Sequence, residues 1–130
     1  MARSSGRFYP SDSNQVGPNR FLTVGYTNPG KVVEFSRQGK TLWRYRPRTR
    51  SATLNHPSLA VPLPNGDILL NDDYNDRVVV IDPHTNRIVW QYGHRGRPGT
   101  RPGYLNIPDG VDPLPPYSLV GTHAARMGRP

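Results

Sequence analysis

Apolar residues in this chain fall into short runs, and the runs come back in the same order. Arg77–Ile81 is a continuous apolar stretch with three valines, suited to a strand buried on both faces. Asp67–Asn71 reads as a short apolar strand opened by the turn Pro64-Asn65-Gly66-Asp67. Arg87–Tyr92 alternates and ends in Trp90 and Tyr92, with Asp82–Asn86 as the turn before it. Gly93–Gly103 is rich in Gly, Pro and Arg and reads as loop, and Val111–Leu114 reads as the opening strand of a further unit.

Two tryptophans anchor an internal repeat. Leu42-Trp43-Arg44-Tyr45 returns as Val89-Trp90-Gln91-Tyr92, 47 positions later. Lys31-Val32-Val33-Glu34-Phe35 matches Arg77-Val78-Val79-Val80-Ile81 at an offset of 46, so one extra residue belongs in the turn at 82–86. Leu54-Asn55-His56-Pro57 returns as Leu105-Asn106-Ile107-Pro108 at an offset of 51, with four residues added in the glycine-rich loop. Val61-Pro62-Leu63-Pro64 continues the match into Val111-Asp112-Pro113-Leu114-Pro115. The insertions fall in loops and the matches in apolar runs, as a true repeat requires. A four-stranded unit of about 45–50 residues has the period of a propeller blade.

From Pro57 to Pro115 the residues resemble a known family. The segments Pro57-Ser58-Leu59-Ala60-Val61, Asn65-Gly66-Asp67-Ile68-Leu69 and Asp72-Asp73-Tyr74-Asn75-Asp76-Arg77-Val78 resemble the NHL repeat, as do Gly93-His94, Gly103-Tyr104-Leu105 and Pro108-Asp109-Gly110. The Trp90 strand is also similar to quinoprotein-like and arylsulfotransferase-like propellers. The resemblance covers about residues 19–115; the first copy carries Gly25-Tyr26-Thr27-Asn28-Pro29-Gly30 where the Asp-Asn-Arg signature belongs. It implies an all-β fold of antiparallel four-stranded β-propeller blades, in which Asp72, Asn75 and Arg77 tie blade turns together. Propellers of this family are usually six-bladed, so two blades make an incomplete ring with exposed strand edges. The expected layout is an irregular N-terminal tail over 1–18, two tandem blades over 19–115, and a closing strand with C-terminal tail over 116–130. Such a chain is a piece of a larger propeller, closes a ring by self-association, or stays partly folded; the first is preferred.

Composition narrows the picture. Thirteen Gly and fifteen Pro in 130 residues disfavour long helices, and the valine- and isoleucine-rich runs favour β structure. Without cysteine there are neither disulfides nor thiolate zinc sites. No apolar run approaches a membrane span, and the N-terminus lacks the apolar middle of a secretion signal. A cytoplasmic location follows by default, or export if the chain is an N-terminally truncated fragment. The net charge of +8 is uneven: residues 1–60 carry +8, residues 61–92 carry −3 and residues 93–130 carry +3. Such a field attracts polyanions, although a bias toward arginine with solvated charges gives the same composition.

Candidate chemistry is sparse. Asp72, Asp73, Asn75 and Asp76 offer oxygen ligands, but the glycine and glutamate of an EF-hand loop are missing, so a structural role is expected. His56, His84, His94 and His123 are scattered, and no metal site or cofactor is assigned to them. There is no nucleophile elbow, no phosphate loop and a single Glu, Glu34, so no catalytic residue is assigned. Trp43, Tyr45, Trp90 and Tyr92 recur in both copies and read as packing between neighbouring units, alongside Pro57 and Pro108 as repeat positions. Arg44, Arg46, Arg48 and Arg50 alternate through Trp43–Arg50; in an extended chain their guanidiniums would line one face and contact phosphates. The expectation is a non-enzymatic binding or scaffold module with a protein partner or self-association. The alternatives are RNA or polyanion binding through Arg44–Arg50, and the C-terminal part of an extracellular NHL-type lyase or arylsulfotransferase-like enzyme.

Overall fold

A computed structural model describes residues 8–114. It is all-β: eight strands make two antiparallel four-stranded sheets, in the orders β1-β2-β3-β4 and β5-β6-β7-β8. The first sheet holds β1 (Pro10–Gly17), β2 (Arg20–Gly25), β3 (Lys31–Phe35) and β4 (Thr41–Arg44). The second holds β5 (Pro57–Pro62), β6 (Ile68–Asp72), β7 (Arg77–Asp82) and β8 (Arg87–Gly93). Helical structure among the described residues is limited to two three-residue 3-10 turns, Arg50–Ala52 and Asp73–Asn75.

Strand register places the internal repeat in space. Trp43 stands opposite Glu34, and Trp90 opposite Val80, which is the residue equivalent to Glu34. Each third strand carries its irregularity one step later, between Glu34 and Phe35 and between Val80 and Ile81. Each first strand is irregular after its proline, with Pro10 opposite Gly25 and Pro57 opposite Asp72. The turn after β7 is one residue longer than that after β3: Phe35 pairs with Thr41, but Ile81 with Ile88. At the junctions, His56 and Ile107 share a left-handed backbone, with φ of 53° and 46°.

Two boundaries differ from the sequence expectation. Residues 1–18 were expected to be irregular, but Pro10–Gly17 is an edge strand of the first sheet. Its polar side chains hide the alternation that marks a half-buried strand. They are held by hydrogen bonds instead: Ser13 Oγ meets Thr23 Oγ1 at 2.7 Å, and Thr23 Oγ1 donates to the Asp12 carbonyl at 3.0 Å. The expected strand over Val111–Leu114 is not formed. Strand geometry needs a ladder partner, and Val111 instead packs against the Leu63, Leu69 and Val80 cluster. The closing strand and tail expected over 116–130 lie outside the described residues.

The core lies between the sheets. Because side chains alternate along a strand, each sheet has a face that carries its tryptophan and a reverse face. The tryptophan face of the first sheet presents Leu22, Val24 and Val32, with Trp43 packed at its margin. It meets the reverse face of the second sheet, which presents Ala60, Ile68, Leu70, Val79 and Ile81. Burial of ten apolar side chains here, each worth about 1.5–3 kcal/mol for the larger ones, joins the sheets into one body. The two sheets close no ring by themselves.

Candidate functional site

The signature residues form a sealed hydrogen-bond network. Asp72 and Arg77 are a register pair at the end of β6 and β7, and Arg77 Nε donates to Asp72 Oδ2 at 2.8 Å. The same oxygen accepts from Asn75 Nδ2 at 2.8 Å, while Asp72 Oδ1 accepts from the Asn55 amide at 2.7 Å. Asn75 Nδ2 and Arg77 Nη2 both reach the Thr53 carbonyl, at 3.0 and 3.4 Å, and Arg77 Nη1 donates to Gln91 Oε1 at 3.2 Å. The three side chains thus bind the β6–β7 hairpin to the connection between the sheets. In the first sheet the equivalent register pair is Gly25 and Lys31, which cannot build this network.

The acidic cluster does not converge. Asp76 turns away in a left-handed conformation, and its Oδ1 accepts from the Ile107 amide at 3.0 Å. Among the described residues no three His, Cys, Asp or Glu side chains surround a point where a metal could sit.

Asp73 belongs to a different group. Its Oδ1 accepts from Ser58 Oγ at 3.1 Å and from Asn71 Nδ2, while Asn71 Nδ2 also donates to Ser58 Oγ and, at 2.9 Å, to the Pro108 carbonyl. Asn71 Oδ1 is buried without a donor. Burial pushes the Asp73 carboxyl up to about 6, against the opposing hydrogen bonds from Ser58 and Asn71. Beside it, His56 packs on Tyr26 and Tyr74 with ring centroids at 4.8 and 4.4 Å. A hydrogen bond with Tyr74 and burial, both favouring the protonated phenol, raise Tyr26 to about 12. An open cavity of about 490 Å³ is lined there by Tyr9, Tyr26, Ser58, Asp73, Tyr74 and Asp109, among others. Sequence reasoning singled out Asp73 only as part of an acidic run. The grouping with Ser58 and Tyr26 comes from pairing β5 with β6 and stacking one unit on the next.

The repeated aromatic residues are not equivalent in packing. Tyr45 is buried in the core and its hydroxyl donates to the Ala52 carbonyl at 2.7 Å; burial raises it to about 12. Tyr92 is 44% exposed, and its hydroxyl accepts from the Gly103 amide at 3.0 Å. Trp43 packs against the inter-sheet core and Trp90 against the cluster around Leu69 and Val80. Pro57 is buried opposite Asp72, whereas Pro108 is half-buried and lends its carbonyl to Asn71.

The four arginines do not lie on one regular strand. β4 ends at Arg44, and Arg50 begins a 3-10 turn, so the extended geometry that would align their guanidiniums stops partway. Arg44, Arg46, Arg48 and Arg50 are all exposed. The Arg46 amide donates to Asn86 Oδ1 at 3.4 Å, drawing the connection across the second sheet. Of the four, only Arg48 reaches a cleft between that connection and β8, where Arg77, Arg87 and Arg95 join it.

No helix among the described residues is long and apolar enough to cross a membrane. No model of a known protein family matches the chain, and no curated protein matches it.

Proposed function

We propose that the two sheets are successive propeller-type blades and that the chain is a non-enzymatic binding scaffold, whose outer sheet faces take up a protein partner, in the first instance a second copy. The observation that carries this reading is the equivalence of packed and open faces. Phe21, Thr23, Val33 and Phe35 on the reverse face of the first sheet occupy the register positions of Ile68, Leu70, Val79 and Ile81, which are buried between the sheets. Phe21 and Phe35 stack at 5.6 Å, yet both remain half-buried. On the second sheet the tryptophan face presents Leu59, Val61, Val78 and Trp90, all half-buried. The two open faces are the two halves of the interface already formed inside the chain. A copy docked by the same operation is therefore complementary, and repetition of that operation gives a ring or a stack. Apolar faces left only partly covered support reading them as interaction surfaces.

Sedimentation velocity over a range of protein concentrations tests the reading. The expected result is a mass above that of one chain. Either Val33→Glu or Val78→Glu should reduce it to one chain without changing the melting temperature by more than a few degrees. A wild-type protein that stays monomeric at high concentration and captures no partner through these faces would overturn it.

A further inference from the structure

We propose that the cleft between β8 and the connection after β4 is a binding site for a compact oxyanion, a phosphate or sulfate ester group. The cavity has a volume of about 370 Å³ and is lined by Arg48, Arg77, Arg87 and Arg95 together with Thr49, Ser51, Asn86 and Gln91; no carboxylate lines it. That size lies at the small end of ligand sites, and fits a charged head with a short attached group rather than a folded surface.

The four arginines come from four places in the fold. Arg48 is supplied by the connection, Arg77 and Arg87 by strands β7 and β8, and Arg95 by the loop that follows. They are brought together by the second sheet and by the Arg46 and Thr53 contacts that hold the connection over it. Arg77 forms the floor and its charge is matched by Asp72. Arg48, Arg87 and Arg95 have no carboxylate partner among the described residues. Asp82 is the register partner of Arg87, but its Oδ1 accepts from the His84 amide at 2.9 Å and forms no ion pair with that arginine.

Three like charges held around one small cleft repel one another, and an anion removes that repulsion while meeting planar donor forks in the geometry an oxyanion accepts. Thr49 and Ser51 hydroxyls share a 3.1 Å hydrogen bond at the rim and can donate to a second oxygen by rotating. The site does not depend on an aligned row of arginines along Trp43–Arg50. It requires only Arg48 from that run, and it is independent of the docking faces.

The test is titration of the whole chain with inorganic phosphate and with inorganic sulfate, at ionic strength held constant with chloride, followed by amide chemical shifts. Saturable shifts at residues 48–51 and 86–95 are expected with at least one of the two anions. Phosphoserine and a sulfated monosaccharide then distinguish phosphoryl from sulfuryl sources, and preference for either supports the site. Arg48→Gln, Arg87→Gln and Arg95→Gln should each weaken binding about tenfold or more, the worth of one charge-assisted contact. Arg44→Gln, which removes an exposed charge outside the cleft, should leave it unchanged. Melting curves check that each variant is folded. Shifts no larger than with chloride alone would overturn the proposal. So would equal weakening by Arg44→Gln, or binding of single-stranded RNA that Arg44→Gln weakens as much as Arg87→Gln. These outcomes would mean a diffuse basic field instead of a site.

Discussion

Asp72 and Arg77 face each other across the end of one hairpin, their side chains 0% and 3% exposed, at 2.8 Å. An ion pair so fully desolvated is not a source of large net stability, because both charges have left water. Removing one partner is different, since it strands the other. Asp72→Ala should cost about 3–5 kcal/mol, and replacing both with leucine should cost markedly less. Urea unfolding of the two variants measures this. Equal losses would show that the carboxylate's bonds to Asn55 and Asn75 dominate.

The approach of the two units at Gly30 is too close for a side chain. A Cβ there would meet Pro57 Cδ, and would lie 2.7 Å from Pro57 Cγ and 2.9 Å from Leu54 Cβ. Gly30→Ala should therefore lower stability by about 1–3 kcal/mol, as overpacking does. Gly39→Ala meets nothing within 4 Å and bears only the strain of its φ of +82°, about 1 kcal/mol. Thermal melts of the pair separate steric conflict from backbone strain.

Ile107 is a β-branched residue with a left-handed backbone, and it is 53% exposed. Such a residue is strained there with little burial in return. Ile107→Asn should raise stability by about 1 kcal/mol, read as a higher urea midpoint at unchanged slope. The amide bond to Asp76 is retained, because it comes from the backbone.

Asp73 gives the protein a specific pH response. Its carboxyl is raised to about 6 from an ordinary 3.8, so between those values the folded chain holds a proton that the unfolded chain has lost. The contribution of this group to stability therefore falls as pH rises from about 4 to 6. Asp73→Asn, which cannot ionise, lacks that slope. The stability difference between wild type and variant should shift in favour of the variant by on the order of 1 kcal/mol from pH 4.5 to 7, allowing for solvent at the cavity mouth. Urea midpoints at the two pH values measure it.

Tyr45 and Tyr92 test how far sequence equivalence extends. Tyr45→Phe removes a buried bond to the Ala52 carbonyl and should cost about 1 kcal/mol; Tyr92→Phe, at an exposed site, should cost less than half of that. In an alkaline absorbance titration, loss of Tyr45 should remove a phenol that ionises near pH 12.

Much of the second sheet was legible because its strands are apolar and its turns are marked by Asn, Gly and Pro. Ile68–Asp72, Arg77–Asp82 and Arg87–Gly93 lie within a residue of the expected spans. β1 was not legible, since Ser11, Asp12, Ser13, Asn14 and Gln15 offer no alternation of apolar and polar positions. One signal was present: Pro10 precedes Pro57 by the same 47 positions that separate the tryptophans. The path of the arginine run was not legible for a related reason. The spacing presumes an extended path to Arg50, whereas the regular strand ends at Arg44 and the chain bends at Arg48 and Thr49 as it crosses the second sheet. The Arg48, Arg87 and Arg95 grouping depends on that crossing, and spacing along the chain carries no trace of it.

The left-handed residue His56 sits just before β5, and Ile107 holds the equivalent position after β8, each once the ladder of the preceding sheet is complete. Neither junction breaks a strand pairing. A whole unit can therefore be gained or lost as a cassette, cut at equivalent joints, while every remaining sheet keeps its own hydrogen bonds.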